Sequence, residues 1–132
     1  MSGLLLDTHV WLWSLLEPDR IIPDVAATLE SEDAELWLSP ISLWETLVLA
    51  EKGRLDLGPS SREWVENALE TVPLHEAPVT AEVALATAGI ELPHRDPADR
   101  FLLATAKVFD LTLVTADRRL LDQTAVPVLA NR

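Results

Sequence analysis

Four acids stand where packing gives little reason for a carboxylate. Asp7 ends the apolar run Leu4-Leu5-Leu6, and Asp117 closely follows Leu113-Val114-Thr115. Glu45 has Ile41, Val48 and Leu49 as its helical neighbours at −4, +3 and +4. Asp99 shares a helical side with Leu102, Leu103 and Ala106, and Asp96 precedes it by about one turn. A carboxylate on an apolar face is costly unless paired. Several brought together repel one another unless a cation lies between them. A set of hard oxygens, with no cysteine and no histidine pair at ligand spacing, selects Mg²⁺ or Mn²⁺ over zinc. Such an ion activates water and clamps phosphoryl oxygens, so the chemistry it suits is phosphodiester hydrolysis.

Each acid also has an ordinary reading. Asp7 could begin a turn, and Glu45 could bend to solvent or pair with Arg54. Asp96 fits a helix N-cap with Asp99 at the third position, where orphan N–H groups favour acids. Asp117 could cap the helix after it. Convergence separates the two readings, because ligands of a parallel α/β sheet bind beyond the carboxyl ends of its strands. Other acid-led motifs are incomplete. A haloacid-dehalogenase phosphatase wants a second Asp where His9 stands, and an amidohydrolase wants His-x-His where there is one histidine. With four glycines, no Walker loop or dinucleotide-binding loop is present. His9, His75 and His94 are isolated in sequence and read as structural or surface residues.

Short apolar segments alternating with helices predict an α/β domain with a mainly parallel sheet covered on both faces. The strands are expected at 4–6, 35–38, 111–115 and 126–129, with at best a short one between 72 and 79. Helices are expected at 9–16 with Thr8 as N-cap and at 24–32 with Asp24 as N-cap. Others begin at Ser39-Pro40 with a stop at Gly53, at Ser60 with Glu63 as a capping box, at Thr80, at Asp96-Pro97 and near Ala116. The nine prolines fall mostly between these segments.

The 132 residues fit a single domain, 1–132, and no repeat or linker divides them. Lack of cysteine fits a reducing cytosol, and no apolar run is long enough for a membrane span. The formal charge of −12 argues against a protein that grips nucleic acid mainly by neutralising phosphates.

Leu4-Leu5-Leu6-Asp7-Thr8-His9, Ser39-Pro40-Ile41-Ser42-Leu43-Trp44-Glu45, Asp96-Pro97-Ala98-Asp99-Arg100-Phe101 and Val114-Thr115-Ala116-Asp117 resemble, in order and spacing, the four motifs of PIN domains. The length resembles that of the single-domain VapC-type toxins of bacterial toxin–antitoxin pairs. The resemblance implies a three-layer α/β/α sandwich and an endoribonuclease dependent on Mg²⁺ or Mn²⁺ that leaves a 5′-phosphate and a 3′-hydroxyl. It makes Asp7, Glu45, Asp99 and Asp117 both the catalytic and the metal-binding acids, with Asp96 an extra acid and Thr115 shaping the loop before the fourth. It also implies a homodimer and a cognate antitoxin that covers the site.

Arg95, Arg100, Arg118 and Arg119 flank the expected site and are candidate RNA contacts, with Lys52 and Arg54 behind them; salt bridges to the surplus acids are their alternative. Trp11, Trp13, Trp37, Trp44 and Trp64 could stack on bases or fill core and interface. The run Trp11-Leu12-Trp13 is expected to leave an apolar side chain outward for a dimer. Two rival functions remain: a PIN-like interaction or RNA-binding module without catalysis, and a DNA nuclease or phosphatase on the same acids.

Overall fold

The structure is a computed structural model describing residues 3–92 and 96–132. Strands β1 (Leu4–Leu6), β2 (Leu36–Leu38), β3 (His75–Glu76), β4 (Thr112–Thr115) and β5 (Val128–Ala130) pair in parallel in the order β3-β2-β1-β4-β5. The helices are α1 (Thr8–Leu16), α2 (Pro23–Glu30), α3 (Pro40–Glu51), α4 (Ser61–Thr71), α5 (Ala81–Ala86), α6 (Pro97–Val108) and α7 (Arg118–Leu121). Short 3-10 turns follow α1 and α5 at Pro18–Arg20 and Thr87–Gly89.

Alternation along the central strands divides the core. Leu5 and Leu113 point to one face and meet Val83, Leu102, Leu103 and Ala106 from α5 and α6. Leu6 and Val114 point to the other, where Val10, Trp11, Val25 and Val65 from α1, α2 and α4 cover them. Both faces are therefore sealed, as the apolar strands predict.

The helix starts show where local chemistry decides and where tertiary contacts do. Ser39, Ser60, Thr80, Asp96 and Asp117 each accept a backbone N–H as N-caps. Gly53 follows α3 at φ +75°, a conformation that favours glycine. Two expected caps are corrected. Thr8 is the first residue of α1 rather than its cap, because its hydroxyl is engaged by α3. Asp24 lies inside the first turn of α2, which begins at Pro23, where the missing N–H of proline costs nothing. Of the run Trp11-Leu12-Trp13 on α1, Trp11 and Leu12 are buried, Trp11 packing edge-on against Trp64 of α4, and Trp13 is the partly exposed member. The large exposed apolar side chains of α3 are Trp44 and Leu47.

Two small features fix the sheet. Asn131 is buried and joins three segments. Its N–H donates to the carbonyl of Thr115, its amide nitrogen donates to the Arg20 carbonyl, and its amide oxygen accepts from Ile22 N–H. Gly3, before β1, lies against the indole of Trp37, whose buried Nε1 has no hydrogen-bond partner among the described residues. A Cβ on Gly3 would stand 2.6 Å from Trp37 Cδ1 and 2.8 Å from a Leu111 methyl. Gly3→Ala should therefore cost about 1–3 kcal/mol in a urea melt. The double variant with Trp37→Phe should lose less than the sum of the two single variants, because the smaller ring relieves the same overlap.

Candidate active site

The pairing of β1 with β4 places the first acid. Leu6 is in register with Val114, and Asp7 N–H donates to the Val114 carbonyl at 3.0 Å. Asp7 thus leaves β1 beside Thr115. The buried Thr115 hydroxyl donates to Asp7 Oδ2 at 2.6 Å and accepts the Asp117 N–H at 3.0 Å. Asp117 in turn caps α7 through the N–H of Arg119.

Glu45 arrives from α3, in the second turn after the Ser39 cap has fixed where that helix starts. Thr8 Oγ1 lies 2.5 Å from Glu45 Oε1 and 2.9 Å from Ser42 Oγ. A hydroxyl has one proton to give, so Thr8 donates to the carboxylate and Ser42 supplies the proton between the two hydroxyls. Neither Thr8 nor Ser42 stood out as a site residue in the sequence. The available signal was spacing, since Ser42 precedes Glu45 by three positions and shares its helical face. From α6, Asp96 caps the helix through Ala98 N–H, and Asp99 is buried in the first turn.

These acids line one cavity of about 200 Å³, walled by Asp7, His9, Trp13, Glu45, Asp96, Asp99, Ala116, Asp117 and Arg119. The five acids thus come to one place, and Thr115 lies beneath them. Asp96 both caps its helix and faces the cavity.

The basic residues separate. Arg119 Nη2 is 2.9 Å from Asp117 Oδ2 and 3.9 Å from Asp99 Oδ2. The Arg100 guanidinium donates to the Ile90 carbonyl and ties the segment after α5 to α6. Arg118 is exposed and outside the cavity wall, as are Lys52 and Arg54 beyond α3. Arg95 and His94 lie outside the described residues. His75 packs at a tilt against Trp37, which stacks on Phe109. His9, expected to be merely structural or superficial, stands in the cavity wall.

Burial raises the Asp7 pKa, aided by the charge of Asp117 and opposed by the Thr115 hydrogen bond and by His9. Glu45 is pushed up to about 7, chiefly by burial, with Asp7, Asp96 and Asp99 adding to the rise and Thr8 opposing it. The Arg119 guanidinium is held still more firmly charged by its hydrogen bonds to Asp117. The donor set is wholly oxygen and its negative charge is under strain, which fits a hard divalent cation. As placed, no three of the described side chains close on a common ion, and Arg119 lies against two of them.

The PIN-domain family profile matches residues 4–126. The chain belongs to the PIN-domain family. Among curated proteins, this PIN domain is 36% identical over 123 residues to "Ribonuclease VapC22" of Mycobacterium tuberculosis, covering 91% of each chain. Among solved structures, it resembles a DNA-bound VapBC from Salmonella typhimurium, with a TM-score of 0.72, 16% identity and 98% of each chain covered. It also resembles FitAcB from Neisseria gonorrhoeae, at TM-score 0.63, 27% identity and 97% coverage of each chain. PIN-domain nucleases generally use divalent metals.

The raised pKa values set the pH dependence of the metal-free protein. A carboxyl that binds its proton more tightly when folded stabilises the fold fully below its unfolded value. That contribution is lost as pH rises through the folded value. For Glu45 the window runs from 4.5 to about 7, and Asp7 acts in the same direction. The melting temperature in chelator should fall across this window, and Glu45→Gln should flatten part of the fall. At neutral pH, Glu45→Gln and Asp7→Asn should melt in chelator at or above the wild-type temperature, since each removes a repelling charge. A large drop in those melts would mark the two acids as structural.

Proposed function

We propose that the protein is a cytosolic endoribonuclease dependent on Mg²⁺ or Mn²⁺, the toxin of a toxin–antitoxin pair, contained in a single PIN-like domain spanning 1–132. The observation that carries this reading is the convergence of Asp7, Glu45, Asp99 and Asp117 on one cavity at the carboxyl edge of a parallel sheet. Similarity to a curated ribonuclease over most of both chains supports the activity.

In this reading the four acids hold the metal, which when bound polarises a phosphoryl oxygen and makes water a stronger nucleophile. The rest belongs to the chain. Thr115 fixes the Asp7 carboxylate, and through the N–H of Asp117 it sets the loop that carries the fourth acid. Thr8, itself bonded to Ser42, holds the Glu45 carboxylate to α1. Glu45 is partly buried in the cavity wall beside Asp7, Asp96 and Asp99, where its carboxylate completes the set that would hold the ion. Arg119 reaches the pocket and can turn from Asp117 to a phosphate.

Cleavage of RNA with Mg²⁺ or Mn²⁺, and its loss in chelator, tests the activity. Asp7→Asn and Glu45→Gln should each lower the rate by roughly two orders of magnitude, about 2.7 kcal/mol of barrier. A parallel assay on DNA and on a phosphate monoester tests the rival nuclease and phosphatase readings. Full activity in both variants would favour an interaction module without catalysis.

The solved relatives are toxin–antitoxin complexes, and they support a cognate antitoxin here. The charge of −12 suits a partner with a basic tail. Co-expression with a neighbouring short reading frame should give a complex whose association slows as salt rises; a salt-independent rate would count against the basic tail. The homodimer of this reading would use Trp44, 53% exposed, and Leu47 on α3. Light scattering at micromolar concentration should give twice the monomer mass, and Trp44→Glu should shift it toward one.

A further inference from the structure

One wall of the acidic cavity is aromatic. His9 and Trp13 are four residues apart on α1, on the same side of the helix, and both line the cavity with Asp7. Their ring centroids are 6.0 Å apart at an interplanar angle of 55°. The Arg20 guanidinium lies over the Trp13 indole, 4.4 Å from its centroid. The arginine is held in place from two sides: Glu17 lies 3.4 Å from its Nη1, and the buried Asn131 amide donates to its carbonyl. A row of imidazole, indole and guanidinium therefore begins at the acids and runs outward along the surface.

Core packing explains only the inner side of Trp13, which lies against the core of the sheet face that α1 covers. Trp11, on the same helix, is fully enclosed and braced by Trp64, whereas Trp13 is partly exposed and His9 is exposed. The row also meets a difficulty that the charge of the chain creates. A protein at −12 has few cations with which to hold a polyanion. Stacking of a base on an aromatic ring is largely indifferent to net charge and adds affinity base by base. A base within a duplex has both faces covered and cannot use such a ring.

We propose that His9, Trp13 and Arg20 form a stacking platform for an unpaired RNA base next to the phosphodiester that is cut. Trp13 receives the base face, His9 flanks it on the cavity side, and the exposed Arg20 guanidinium moves off the indole to the adjoining phosphate. The three act as positioning residues, and they select single-stranded over paired RNA. The inference rests on the ribonuclease reading of the acidic site.

The test compares full-length wild type, Trp13→Phe and Trp13→Leu, each with its melting temperature recorded. In chelator, where no cleavage intrudes, affinity is measured for a fluorescein-labelled single-stranded oligoribonucleotide and for the same strand annealed to its complement. Trp13→Leu keeps apolar bulk without a π face, and its single-strand affinity should fall by about tenfold or more. Trp13→Phe should stay within about threefold of wild type. Duplex affinity should be weak and alike in all three, so the preference for single strands shrinks only in Trp13→Leu. Equal affinities in all three, equal losses in both variants, or a loss that simply follows a lower melting temperature would overturn the platform. Cleavage of the single strand by wild type with Mn²⁺ separates the two levels of the argument. Cleavage with Leu and Phe indistinguishable removes the platform alone, whereas neither binding nor cleavage by wild type removes the ribonuclease reading and the platform with it.

Discussion

The Thr115 hydroxyl sits where two strands and a loop meet, and it gives a proton to Asp7 while taking one from the backbone of Asp117. The bond to Asp7 depends on the register of β1 against β4, whereas the one from Asp117 is local. A shift of one residue would bring Val114 or Ala116 beside Asp7, and neither could bond it. It would also exchange Leu113 and Val114 between the two cores, since side chains alternate along a strand. Strands of three and four residues carry few ladder bonds, so burial on both faces must set the register. Hydrophobic packing thereby fixes the geometry of a polar site to within a hydrogen-bond length.

The metal-free pocket tolerates its crowded acids in three physically different ways. Hydroxyl protons from Thr8 and Thr115 solvate Glu45 and Asp7 where water is excluded. Glu45 retains a proton up to near neutrality and so leaves the charge count for part of the population. Arg119 brings a permanent positive charge to Asp117 and within reach of Asp99. A hard cation would compete with the proton and with the guanidinium at once, so its binding should be felt at both places. The aromatic wall of His9 and Trp13 contributes no charge to this balance.

Much of this was legible in the sequence, for identifiable reasons. Asp7 and Asp117 follow apolar runs directly, and Glu45 and Asp99 break apolar faces, so each conflicts with its neighbours in a way that pattern alone reveals. The parallel sheet and the caps at Ser39, Ser60, Thr80 and Asp96 are local and could be read in the same way. What escaped depends on contacts between distant segments. Thr8 looked like a cap because its type and position allow it, yet α3 claims its hydroxyl across 34 residues. Arg100 adjoins Asp99 in sequence, and its bond to the Ile90 carbonyl could not be read there. Trp11, Leu12 and Trp13 are all large and apolar, and only the packing of distant segments, Trp64 of α4 against Trp11 among them, decides which is enclosed. His9 offered no signal beyond its distance of two residues from Asp7.

The contacts that complete the site join residues very far apart in the chain. Thr115 reaches Asp7 across 108 positions, and Asn131 reaches Ile22 across 109. During synthesis the hydroxyl that orients the first acid emerges 108 positions after it, and the fourth acid follows that hydroxyl. Asn131, which anchors the carbonyl of Thr115 and the backbone of Arg20, comes later still. Contacts of such separation form late and slowly. A chain still growing on the ribosome therefore carries its acids dispersed, and it can act on the RNA around it only after the last strand has joined the sheet.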